Sequence, residues 1–188
     1  MKSGLIKKLA VGGLLTALVF LATYFLKIPI TIPGGSGYLN LGDVVIIASV
    51  LALDWKVGAV AAILGSTLAD IAGGWLLYAP FTFVIKGVMA IIIWLVSLPA
   101  EKVGKLKPLI LLLAAVAGEA IMIGGYFVAD LVIYGWLPLP GMILPTAVIN
   151  LPFSAIQAVA GVVVGLGLGL ILIKYKLRNM LETPKKQA

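Results

Sequence analysis

The chain has 188 residues, 62% of them hydrophobic and 11% charged, against about 45–50% apolar and about 25% charged in a soluble domain, so it is an integral membrane protein. Cysteine and histidine are both absent, which excludes disulfides, thiolate or imidazole metal sites, cysteine nucleophiles and histidine bases. The net charge of +7 raises nucleic acid or anionic lipid as a partner until its distribution is read.

Apolar runs near the roughly 20 residues that cross a bilayer predict six transmembrane helices, at 5–26, 39–53, 57–77, 80–98, 109–134 and 145–173. The expected fold is an all-α membrane bundle forming a single domain over 1–188. The first run has the length of a full span and no small-residue cleavage site follows it, so it is read as a helix and not a signal peptide. With the N-terminus inside, the cytoplasmic segments hold all of the 14 lysines and arginines except Lys27 and Lys86. The positive-inside rule then puts both termini in the cytoplasm, in a prokaryotic cytoplasmic membrane. The basic tail "KYKLRNMLETPKKQA" reads as an anchor at the inner surface, and the positive charge needs no nucleic-acid partner.

After the first helix comes "KIPITIPGGSGYLNLG", and within it "GGSGYLNLGD" at 34–43 places glycines beside Tyr38, Asn40 and Asp43. Irregular backbone at membrane depth is tolerated only where protein or a watery cavity satisfies it. The segment is therefore expected to roof or line an outward-facing cavity; the alternative is an ordinary loop with Asp43 as the N-cap of helix 2. The next connection, Asp54-Trp55-Lys56, is a tight turn whose aspartate can cap helix 3. Asp70 and Lys86 each lie roughly 9–10 Å from the outer ends of helices 3 and 4, at about 1.5 Å per residue. They are placed to form an ion pair, with or without contact to a ligand.

"PAEKVGKLKP" is a plain inner link, whereas "YAP" and "GWLPLPGMIL" bring Gly, Pro, Trp and Tyr to the outer side. Helix 5 carries Glu119, Met122, Tyr126 and Asp130 on one face, either a polar seam between helices or one wall of a site. Glu119, in the inner half, is the member expected to be structural. Helix 6 repeats the pattern with Asn150 and Gln157, and Pro152 frees the carbonyl of Val148. Small residues recur four apart at Gly161, Gly165 and Gly169, at Ala114 and Gly118, and at Gly13 and Ala17. The first two sets read as tight packing; the third, near the cytoplasm, offers a face to a partner membrane protein. No GxxxxGK[ST] loop, HExxH motif or metal cluster is present, so the chain neither hydrolyses ATP by itself nor suggests an enzyme.

"GYLNLGDVVIIASVLAL", "GSTLADIAGGWLLYAPFTFVIKGVMA", "GEAIMIGGYF" and "NLPFSAIQAVAGVVVG", in that order from about Ala10 to Ile173, resemble the substrate-binding S components of energy-coupling factor (ECF) vitamin transporters. The similarity looks closest to the branch that holds the hydroxymethylpyrimidine and pyridoxine S components and is often labelled riboflavin-type. The resemblance implies a six-helix, non-enzymatic subunit that binds a B vitamin near the extracellular side as a transported ligand, with no cofactor or metal. Pyridoxine or hydroxymethylpyrimidine is the favoured ligand and riboflavin the next. It also implies partners in the bilayer and beneath it, a transmembrane coupling subunit and two cytosolic ABC ATPases, with Gly13 and Ala17 at the spacing that packs on the coupling subunit. Depth and aromatic and amide chemistry suited to a flat heteroaromatic ring place the ligand among Tyr38, Asn40, Trp75, Tyr78, Lys86, Tyr126, Asp130 and Asn150. Asp43, Asp70, Glu119 and Gln157 are expected as gate or structural polar groups, and 34–43 as the gate. The alternative function is a self-sufficient ion-coupled transporter or channel using Asp70, Lys86, Glu119 and Asp130 as a charge relay.

Overall fold

The segment expected as a flexible loop is a hairpin. In the computed structural model, which describes residues 2–32, 35–136 and 143–177, β1 (Lys27–Ile32) runs antiparallel to β2 (Gly35–Asn40), with Lys27 opposite Asn40 and Ile32 opposite Gly35. It follows α1 (Lys2–Tyr24) and precedes α2 (Gly42–Ala52), α3 (Trp55–Ala72), α4 (Ala79–Ser97), α5 (Lys107–Trp136) and α6 (Ile143–Ala160). A π-helical turn at Gly161–Gly165 joins α6 to α7 (Leu166–Lys174), and two short 3₁₀ turns, Leu98–Glu101 and Gly104–Leu106, link α4 to α5. Gly34 of the glycine-rich segment, residues 137–142 of the α5–α6 link and the tail from 178 lie outside the described residues.

The hairpin explains why the second apolar run is short. The 11 residues of α2 rise only about 16 Å at about 1.5 Å each, about half of a roughly 30 Å hydrocarbon core. Strand β2 leads directly into α2. The backbone N–H and the side-chain amide of Asn40 both donate to Gln157 Oε1, at 3.0 and 3.1 Å, well inside α6. These bonds satisfy main-chain and side-chain groups at the inner end of β2 through protein rather than solvent. Among the described residues five helices are long and apolar enough to cross a membrane, and α2 is a shorter apolar helix beside them. The protein is a multi-spanning helical bundle with one β-hairpin, half-buried at Tyr38, Leu39 and Asn40 and exposed at Ile28.

α2 is the axis of the bundle, with nine of its residues buried, among them Ile46, Ile47 and Val50. A helix apolar on all sides has to be enclosed. The small residues of the last span make that enclosure close: a Cβ on Gly165 would lie 3.0 Å from the Val44 carbonyl oxygen, and one on Gly169 3.5 Å from Ala48 Cα. α1 packs on α3 in the same way, where a Cβ on Gly65 would come within 2.7 Å of the Thr16 carbonyl oxygen. On α5, Ala114 is buried and a Cβ on Gly118 would meet Ile93 of α4 at 2.4 Å. Small side chains thus set helix separation in a solvent that supplies no hydrophobic drive.

Asp43 does not cap α2. Asn40 Oδ1 accepts from the Gly42 amide at 2.8 Å, while the Asp43 side chain turns into the bundle. Asp54 does act as a cap, accepting from the Lys56 amide at 3.0 Å.

Candidate functional site

The deepest polar group is a fully enclosed carboxylate. α2 begins where β2 ends, so its first turn carries Asp43 into the interior at 0% exposure, where Lys86 of α4, 2% exposed, donates to Oδ1. Gln157 of α6 donates to Oδ2 at 2.7 Å and, through its own oxygen, receives Asn40 of β2. Four elements therefore meet on one ion pair. Such a pair has to be complete, because a lone buried charge is strongly unfavourable. The expected Asp70–Lys86 pair is not formed: the hairpin brings Asp43 to Lys86, and Asp70 takes the hydroxyl of Tyr38 instead. Glu119 lies beside this knot, buried, with neither oxygen hydrogen-bonded among the described residues. It fills the space left by Gly161, where a Cβ would stand 2.0 Å from its Oε1.

A cavity of about 90 Å³ opens on the hairpin side of this knot. Tyr38 and Asn40 of β2 form one wall, Asp70, Trp75 and Tyr78 of the α3–α4 corner another, and Met122, Tyr126 and Asp130 of α5 a third. Asn150, Phe153, Ser154 and Gln157 of α6 close it. Tyr38 and Trp75 lie 5.4 Å apart between ring centroids, and Trp75 and Tyr78 5.8 Å. The wall between them is aromatic and continuous. Asp130 is held by the Tyr78 hydroxyl at 2.6 Å and the Asn150 amide at 2.9 Å, which ties α4, α5 and α6 together. The Thr82 and Tyr126 hydroxyls meet at 3.0 Å. The Lys86 ammonium lies 5.5 Å from the Tyr126 ring centroid, behind the lining. Flat rings flanked by amides and carboxylates suit a planar ligand that carries hydrogen-bonding edges.

Residues 4–174 match the family described as ECF-type riboflavin transporter, S component. The chain belongs to that family. It is also 36% identical over 156 residues to an uncharacterized protein in the gap 3′ region of Pyrococcus woesei, covering 83% of this chain and 95% of that relative. As an S component it is a substrate-binding subunit of a vitamin transporter, not an enzyme, and a multi-pass protein of a prokaryotic membrane. ECF transporters as a class work with a transmembrane coupling subunit and ATPases. The family match corrects the expectation of a chain nearest to the pyridoxine and hydroxymethylpyrimidine proteins, because the matching family is the riboflavin one. It gives no support to a self-sufficient ion-coupled transporter or channel.

Of the residues expected to border ligand, the S component brings Tyr38, Asn40, Trp75, Tyr78, Tyr126, Asp130 and Asn150 to one cavity and leaves Lys86 outside its lining. Asp70 and Gln157, expected as gate or structural groups, line it as well, while Asp43 and Glu119 lie beneath. Phe153 and Ser154 were missed, although they stand three and four residues after Asn150 and so share its helical face. Gly13 and Ala17 are remote from the cavity: both are exposed, nothing lies within 4 Å of a Cβ placed on Gly13, and they border a groove with Leu68, Ile71 and Ala72 of α3.

Proposed function

We propose that this S component binds riboflavin in the cavity between the hairpin and α3 to α6, using Tyr38, Asn40, Trp75, Tyr78, Tyr126, Asp130 and Asn150. The family match carries the reading, and the aromatic and amide lining supports it. Small-molecule sites commonly span about 300–1,000 Å³, so a cavity of about 90 Å³ has to widen before a tricyclic ring enters. The hairpin is the gate in this reading, and the Tyr38–Asp70 and Asn40–Gln157 contacts are its latches. The whole chain acts as one transmembrane domain with both termini cytoplasmic, an orientation that the lysine and arginine distribution supports.

Uptake itself falls to an ATP-driven complex with a transmembrane coupling subunit and two cytosolic ATPases, docked through the small face of α1. The exposure of Gly13 and Ala17 supports that role. Gly13→Leu and Ala17→Leu should then abolish ATP-driven uptake in the reconstituted complex while the isolated subunit keeps its ligand affinity. Loss of both properties, or of neither, would remove α1 from this role. For the ligand, purified protein is titrated with riboflavin and the quenching of flavin fluorescence is followed. Saturable quenching with submicromolar Kd is expected, and its absence overturns the riboflavin reading.

A further inference from the structure

We infer that the π-helical turn at Gly161–Gly165 is a hinge about which α6 swings to widen and close the cavity, while α7 stays fixed on α2. The inference rests on the riboflavin reading, which requires the cavity to widen, and names an element that moves.

The last span is continuous from Ala147 to Lys174, but its two halves are held by different means. Gly165 and Gly169 are buried against α2, where Cβ atoms would lie 3.0 Å from the Val44 carbonyl oxygen and 3.5 Å from Ala48 Cα. Backbones in such close contact leave α7 no room to tilt. α6 contains no glycine, and its hydrogen bonds to other elements run through side chains. Asn150 donates to Asp130 of α5 at 2.9 Å, and Gln157 donates to Asp43 of α2 at 2.7 Å while accepting from Asn40 of β2. Side chains can follow a tilting helix by changing rotamer, which main-chain contacts cannot do.

The π turn stands at the boundary between these halves. Such a turn closes i→i+5 bonds and so holds one residue more than an α turn, and helices bend at π turns and at proline. Pro152, inside α6, leaves out a further main-chain bond. Gly161 opens the π turn with no side chain of its own against Glu119 of α5, whose Oε1 would stand 2.0 Å from a Cβ there. The Glu119 oxygens make no hydrogen bond among the described residues, so the helix can tilt past α5 at this point without breaking one. At about 1.5 Å per residue Asn150 stands about 16 Å from Gly161, and a tilt of about 10° moves it by about 3 Å. Phe153, Ser154 and Gln157 lie on the same wall of the cavity and move with it. Through Gln157 the swing also reaches Asn40 and the hairpin.

The chain has no cysteine, so spin labels report only from positions where cysteines are placed. Two pairs of exposed residues separate the halves of the span: Leu21→Cys with Val148→Cys at the hairpin end, and Leu9→Cys with Ile171→Cys at the opposite end. Label distances are measured by pulsed electron spin resonance on the full-length protein without and with saturating riboflavin, saturation being checked by flavin quenching in the same samples. The first pair should shift by at least about 3 Å and the second by less than about 1 Å. Deleting Val163, an exposed residue of the turn, restores α-helical spacing. In that variant the first shift should shrink at least about threefold, and riboflavin association should slow at least about tenfold. A first pair that does not move, or equal movement of both pairs, overturns the hinge and leaves the riboflavin reading standing, whether or not the deletion variant folds. So does a full first shift in the folded deletion variant. Failure of the labelled, otherwise wild-type protein and of the unlabelled protein to quench flavin removes the riboflavin reading, and this inference with it.

Discussion

The two ends of the bundle use their polar residues differently. At the end opposite the hairpin they finish turns: Asp54 caps α3 through the Lys56 amide two residues on, and Lys107 pairs with Glu101 at 2.7 Å across the 3₁₀ link. The Lys8–Asp54 pair at 2.6 Å is partly exposed, and Trp55 stacks on Trp94 at 4.2 Å. At the hairpin end almost every polar side chain reaches another element. Tyr38 reaches Asp70, Tyr78 reaches Asp130, and Asn40 and Asp43 reach Gln157 more than a hundred residues along the chain. One set of contacts ends helices, and the other holds helices apart around a cavity and together beneath it. Mutations should therefore be costly at the hairpin end and mild at the other.

The largest expected effect is at the base of the cavity. Asp43→Ala leaves the Lys86 ammonium buried without its partner, and thermal unfolding in detergent should show a loss of about 3–5 kcal/mol. Wild-type stability in this variant would break the contrast between the two ends. Gly161→Ala comes next. Its methyl group would collide with Glu119, so overpacking should cost about 1–3 kcal/mol by the same measurement. An unchanged melting curve would mean that Glu119 can swing away from the position described here.

In the cavity wall, Tyr126→Ala and Asn150→Ala should each weaken riboflavin binding at least about tenfold, or about 1.4 kcal/mol. Full affinity in both folded variants would move the ligand elsewhere. The smallest effect belongs to Asp54. Burial pushes its pKa up, but the hydrogen bond from Lys8 and the Lys56 amide outweigh burial and hold the carboxyl below its ordinary range. A depressed folded pKa gives stability that is present above the unfolded value of about 3.9 and is lost as pH falls through the folded value. Asp54→Asn should therefore remove a small part of the acid sensitivity below about pH 4, worth under about 1 kcal/mol for so exposed a pair. A larger change would sharpen the comparison by showing that the opposite end also carries structural charge.

The long helices were legible because apolar runs of bilayer length leave little choice, and the Glu119 to Asp130 stripe was legible because helical period puts those residues on one face. The short second run was visible in the sequence, but its cause was not. Hydropathy records how apolar a segment is, not that a β-hairpin can lead into a short helix whose first turn is buried. Reading 34–43 as a gate roofing or lining a cavity did not bring Asp43 to Lys86, which was assigned to Asp70 instead. The ligand was not legible because aromatic rings, amides and carboxylates suit many flat heterocycles; the family match supplied riboflavin.

Strand β2 has one further consequence. Within regular helix, away from its ends and from Pro152, the main-chain N–H and C=O groups are engaged, so a helical wall meets a ligand chiefly with side chains. A strand paired on one side keeps the groups of its other edge for something else, and the Asn40 amide already directs one of them across to α6. The strand that lends Tyr38 and Asn40 to the cavity thus forms a wall whose main chain, unlike that of a helix interior, is tied to its neighbours from outside its own element. Substitutions along that wall can alter the shape of the site while its main-chain donors and acceptors stay in place.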